Sequence, residues 1–176
     1  MRLFIAINVN NATRDSLLSL RDELRSGAES GNFTLPENMH ITLAFLGECD
    51  VRQTSAAKAA MNSVSFAPFD LRIERVGRFG GGQGEALWWA GASTNDAMSV
   101  LQHALTDNLI AAGFSLDTRK FSPHITLGRR VVTGAVPRRI EPFGETVYRI
   151  DLMKSERING KLTYTAIHNK RATTGL

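Results

Sequence analysis

The chain contains the tetrapeptide His-Ile-Thr-Leu twice, at residues 40–43 and 124–127. Sliding the sequence against itself by that spacing, 124 − 40 = 84, aligns more than the tetrapeptide. RLFIAIN at 2–8 falls on ALWWAGA at 86–92, with Leu3 on Leu87 and Ala6 on Ala90. Asn11 falls on Asn95, Leu17 on Leu101 and Ala28 on Ala112. A register kept over about forty residues marks an internal duplication. Each half then reads as apolar strand, helix, loop and HITL. Few folds accept that pattern twice. The expectation is an α+β domain of two similar lobes, antiparallel sheets flanked by helices around a central cleft. One bilobal domain should span 1–176, with repeat halves at roughly 1–83 and 84–176, because no linker is long or polar enough to separate independent domains.

Local signals fill in the elements. The apolar runs at 2–8 and 86–92 read as buried strands, the second within a strand expected over 84–92. A helix is expected over 12–27, with Leu17, Leu20 and Leu24 on one face, Asn11 as cap and Gly27 near its end. Its counterpart over 96–112 carries Leu101, Leu105 and Leu109 on one face and stops at Gly113. A third helix over 51–64 opens with Asp50 as cap and Gln53 in the capping-box position. Further strands are expected at 69–77, 145–155 and 162–168. GGGQG at 80–84 lacks the Gly-Lys-Ser/Thr of a phosphate loop and runs into a strand, so it reads as a mobile hairpin loop.

Composition excludes some classes. The N-terminal MRLFIAINVN is short and interrupted by asparagine, which suits a first strand better than a signal peptide. ALWWAGA is too short to cross a bilayer, so no membrane contact is expected. One cysteine, Cys49, cannot close an internal disulfide, which fits a cytoplasmic protein. The net charge of +4 is modest, but six basic residues and no acid lie between Thr118 and Ile140: Arg119, Lys120, Arg129, Arg130, Arg138 and Arg139. That run brackets the second HITL and points to an anionic ligand.

On a strand, alternate residues share a face. His40 and Thr42 therefore point one way while Ile41 and Leu43 enter the core; His124 and Thr126 repeat this over Ile125 and Leu127. If the halves pack about a pseudo-twofold axis, the two rails face each other across a cleft and bring two imidazoles and two hydroxyls to one place. A single such motif is most simply a half-buried histidine beside a strand-favouring threonine. Two at equivalent positions beside a basic segment call for chemistry. In-line displacement at phosphorus needs a base on the attacking side and an acid on the leaving side. Imidazole holds either form near neutrality, and hydroxyls can donate to the charged oxygens. His103 and His168 lack this support and read as surface residues.

RLFIAINV, ENMHITLAFLGE, LWWAG, RKFSPHITLGR and a late strand ending near Tyr164 together resemble the two-histidine phosphoesterase superfamily, in its RNA 2′,3′-cyclic phosphodiesterase or 2′-5′ RNA ligase branch. The resemblance spans essentially the whole chain. It implies catalysis by His40 and His124, phosphate contacts from Thr42 and Thr126, no metal and no cofactor. The partner it implies is RNA or a nucleotide ending in a 2′,3′-cyclic phosphate, hydrolysed to a 2′-phosphate with His40 as general acid and His124 as base. It also points to Arg129. Strand parity favours Arg130 instead, unless a bulge at Gly128 returns Arg129 to the cleft. Local charge agrees with the resemblance on the histidines, since Glu37 and Glu48 flank His40 whereas His124 lies in the basic run. Lys120 stands where the family often has proline. Other readings are 2′-5′ ligation as the useful direction, a non-catalytic nucleotide-binding or RNA-binding module, and a zinc site, which two histidines without further ligands support poorly. A monomer with no obligate protein partner is expected.

Overall fold

A computed structural model describes residues 1–81, 84–93 and 95–173. In chain order the elements are β1 (Arg2–Asn8), α1 (Asn11–Ser26), β2 (Ala28–Phe33), a 3₁₀ turn (Pro36–Asn38), β3 (His40–Glu48), α2 (Val51–Asn62), β4 (Phe69–Gly80), β5 (Ala86–Ala92), α3 (Asp96–Ala111), β6 (His124–Thr133), β7 (Arg138–Val147), β8 (Arg149–Ile158) and β9 (Lys161–Arg171). The α+β class and the antiparallel pairing are as expected. Residues 82 and 83 of the glycine stretch lie outside the described residues. No helix among the described residues is long and apolar enough to cross a membrane.

The strands lie in the order β7-β4-β5-β6-β3-β1-β8-β9, with β2 added beside β6. A five-stranded lobe (β7, β4, β5, β6 and β2) and a four-stranded lobe (β3, β1, β8 and β9) therefore meet at β6 and β3, and a single residue pair joins them, Ile41 opposite Ile125. Both isoleucines are fully buried. Apolar side chains on both faces put β1 and β5 at the centre of their lobes, where neighbours cover each edge.

The lobes are not the sequence halves. β4, from the first half, pairs with β5 and β7, while β8, from the second half, pairs with β1. The helices cross over as well: α1 packs against β6 and β7, and α3 packs against β3 and α2. Each lobe is completed by elements from the other half of the chain.

The duplication is also less regular than a uniform offset. Asn8 pairs with His40 and Gly91 with His124, so the equivalent strands are offset by 91 − 8 = 83. The helix caps are Asn10 and Asn95, offset by 95 − 10 = 85. Asn10, not Asn11, caps α1, because Asn10 keeps an extended backbone and its side chain accepts from Thr13 N at 2.9 Å. The capping box at α2 forms as expected, with Gln53 N bonded to Asp50 Oδ1 at 2.8 Å and Asp50 N to Gln53 Oε1 at 2.9 Å.

Two strands carry no clear sequence signal. β2 (AESGNF) is polar and follows a helix directly; β7 contains Pro142 and lies at the sheet edge, where a missing N–H costs no ladder bond. The strand expected over 145–155 is two strands that meet at Tyr148. A Cβ at Gly144 would come within 1.7 Å of the Leu71 carbonyl oxygen, so close approach of β7 to β4 demands glycine there.

Candidate active site

Each HITL opens a strand at the seam between the lobes, and each histidine is held by the carbonyl two residues before it. His40 Nδ1 lies 2.7 Å from the Asn38 carbonyl oxygen, and His124 Nδ1 lies 2.8 Å from that of Ser122. A carbonyl only accepts, so Nδ1 carries the proton in both rings and donates it there. Each Nε2 is thereby left for chemistry. His40 Nε2 lies 3.0 Å from Thr42 Oγ1. Asn38 is itself fixed, its buried side-chain amide donating to the Leu162 carbonyl of β9 at 3.1 Å.

The pairing of Ile41 with Ile125 is antiparallel, which sets His40 beside Thr126 and Thr42 beside His124. The rails thus lie next to each other at the seam, where the cleft opens. His40, Thr42, His124 and Thr126 all line one cavity of about 1240 Å³. Aromatic rings back both imidazoles. Phe4 sits 4.8 Å from His40 and Tyr164 meets it edge-on at 5.3 Å; Phe79 meets His124 edge-on at 5.2 Å, with Trp89 at 6.3 Å.

A bulge separates the two arginines. Gly128 pairs with Trp88 and Val131 with Ala86, so β6 holds two residues where β5 holds one. Arg130 takes the left-handed conformation, φ 53°, and its Nε lies 4.0 Å from Glu85. Arg129 returns to the cavity wall and Arg130 does not. Elsewhere the basic run disperses into ion pairs, Arg119 with Asp117 at 2.6 Å and Arg138 with Glu23 at 2.9 Å.

Burial pushes the His40 imidazole below its ordinary value of 6.5, and Arg129 and His124 add to the depression against the opposing pull of the Asn38 carbonyl. The local-charge argument for a readily charged His40 therefore fails. Glu37 pairs with Lys161, and Glu48 lies at the far end of β3 with its carboxylate 3.6 Å from the amino group of Met1. Burial also pushes the Tyr164 phenol up, so it stays a neutral donor near neutrality.

The other histidines lie elsewhere. His103 is exposed on α3. His168 belongs to β9, and its Nε2 lies 2.8 Å from Asn62 Oδ1, tying that strand to the end of α2. Among the described residues no three His, Cys, Asp or Glu side chains gather as metal ligands. The arrangement can hold an oxyanion between Thr42, Thr126 and Arg129 and exchange protons at two Nε2 atoms. Sequence reading missed the Asn38 and Ser122 carbonyls, which the repeated spacing of two residues before each histidine could have signalled, and Phe4, Phe79 and Trp89, whose places depend on strand pairing.

Comparison with known proteins is consistent with this geometry. Residues 7–88 match the model of the LigT like Phosphoesterase family. The chain is 33% identical over 129 residues to an RNA 2′,3′-cyclic phosphodiesterase of Archaeoglobus fulgidus, covering 73% of this chain and 72% of that one. It is 33% identical over 131 residues to the Thermotoga maritima protein of the same name, covering 73% and 70%. Its fold superposes on the crystal structure of Escherichia coli LigT complexed with 3′-AMP with a TM-score of 0.86, at 24% identity over 98% of both chains.

Proposed function

Since the chain belongs to the LigT-like RNA 2′,3′-cyclic phosphodiesterases, and is a hydrolase of cyclic phosphates, we propose that it opens 2′,3′-cyclic phosphate ends of RNA or nucleotides to 2′-phosphates by histidine acid–base catalysis without metal. The observation that carries this reading is the pair of Nδ1-anchored imidazoles at one seam, lining a single cavity with both threonines.

Water attacks phosphorus opposite the 3′ oxygen. His124 Nε2 takes the proton of that water, and the P–O3′ bond breaks as His40 Nε2 gives its proton to O3′. The products are a 2′-phosphate and a free 3′-hydroxyl. Thr42 and Thr126 hydroxyls and the Arg129 guanidinium hold the non-bridging oxygens, where donors aimed at developing charge act strongly in a partly dry cleft. In this reading residues 1–176 work as one bilobal domain, with the phosphate at the seam.

Nucleoside 2′,3′-cyclic phosphate should give a single 2′-phosphomonoester resonance in phosphorus NMR, at a rate unchanged by EDTA. A 3′-phosphate product, or loss of activity restored by one divalent ion, would refute the reading.

The depressed imidazole gives the pH dependence a sign. His40 must be protonated to act as acid, and its charged form is disfavoured in the free protein. As pH rises, kcat/KM should therefore begin to fall below 6.5, the ordinary imidazole value. Bound substrate brings a negative phosphate beside the ring and favours imidazolium, so the same limb in kcat should lie at higher pH. Coincident limbs, or a fall beginning well above 6.5, would count against His40 as the acid.

A further inference from the structure

Strict alternation along β3 would turn Phe45 away from the face that holds His40 and Thr42, since it stands at an odd offset from both. The structure instead places two irregularities in β3. Against an evenly spaced β1, Asn8 pairs with His40, Ala6 with Thr42, Phe4 with Phe45 and Arg2 with Glu48. The extra residues Leu43 and Leu46 flip the parity twice, and the cleft face continues through Phe45 to the end of the strand. Phe45 is left 50% exposed, an unusual place for a phenylalanine in a strand next to a site. The Arg2 guanidinium lies over its ring, 5.1 Å from the centroid.

Both residues line the same cavity as the histidines, and the cavity's 1240 Å³ leaves room beyond one nucleotide. Each pair of residues along β1 advances about 7 Å. From the Thr42 level Phe45 is thus one step away, and the Arg2 side chain folds back so that its guanidinium lies at the Phe45 level. That spacing matches successive units of an extended nucleic-acid strand. Resting on the phosphodiesterase reading above, we infer that Phe45 and Arg2 form a second nucleotide subsite: the base 5′ of the cyclic end stacks on Phe45, and Arg2 meets the phosphate that joins it to the terminal ribose. An exposed aromatic ring stacks any base, and a guanidinium beside it serves either the ring or a phosphate. The preferred substrate is then an oligonucleotide end and not a free cyclic mononucleotide.

The test compares ApA ending in a 2′,3′-cyclic phosphate with adenosine 2′,3′-cyclic phosphate. Wild type should show kcat/KM about tenfold or more higher for the dinucleotide. Phe45→Leu and Arg2→Gln should each remove most of that preference and leave the mononucleotide rate within about twofold, the range of an unperturbed fold. Equal rates for the two substrates, or equal losses on both in the variants, would overturn the subsite. If wild type hydrolyses neither, the phosphodiesterase reading fails separately. The subsite is then decided by equilibrium binding: tighter binding of ApA 2′-phosphate than of 2′-AMP, lost in Phe45→Leu, supports it, and equal binding refutes it.

Discussion

His40→Ala and His124→Ala should each lower kcat on a nucleoside 2′,3′-cyclic phosphate by roughly 10²–10⁴-fold, the usual contribution of one positioned proton-transfer group. Neither loss should come from unfolding. Both rings are only partly buried and their Nδ1 bonds go to turn carbonyls that water can also satisfy. His40 does pack on Phe4 and Tyr164, so His40→Gln, which fills more of that space, serves as a second variant. A circular-dichroism melt beside the rates separates folding from chemistry. A folded variant retaining a tenth of wild-type kcat would remove its histidine from the proposed proton transfers.

The division of labour between the two should appear with a bridging 3′-sulfur substrate. A thiolate departs without a proton, so a missing general acid matters little, whereas a missing general base matters as before. His40→Ala should recover most of its lost rate on the thio substrate, a gain of roughly 10²-fold or more. His124→Ala should recover none. Recovery by His124→Ala alone would exchange the roles. The repeat makes this experiment decisive, because the two imidazoles share the same anchor and motif and differ chiefly in surroundings: aromatic burial and Arg129 for His40, a wetter position for His124.

Much of this site can be read in the sequence because its parts are local. Two strand signatures of four residues place His40, Thr42, His124 and Thr126 on common faces, and periodicity places all three helices to within two residues. Long-range relations fail for physical reasons. Which lobe receives β4 or β8 depends on pairing partners far away in the chain. The choice between Arg129 and Arg130 turns on one left-handed residue in a bulge, and the state of His40 depends on burial that its neighbours Glu37 and Glu48 do not report. The same parity rule that correctly orients Thr42 misplaces Phe45, because β3 breaks alternation between them.

The crossing of β4 and β8 between lobes bears on how such a chain arose. A primitive chain of one repeat would have exposed a bare edge on its central strand, and its helix would have lain over a sheet it did not possess. Two copies exchanging those elements would close both sheets, the low-cost route from monomer to symmetric dimer. The reacting phosphate would then have sat on the dimer's twofold axis, with identical histidines on either side. Fusion of two such copies would break that symmetry and leave each histidine free to drift toward its own task, one drier and one wetter. On the proposed mechanism, an acid and a base would then descend from a single residue.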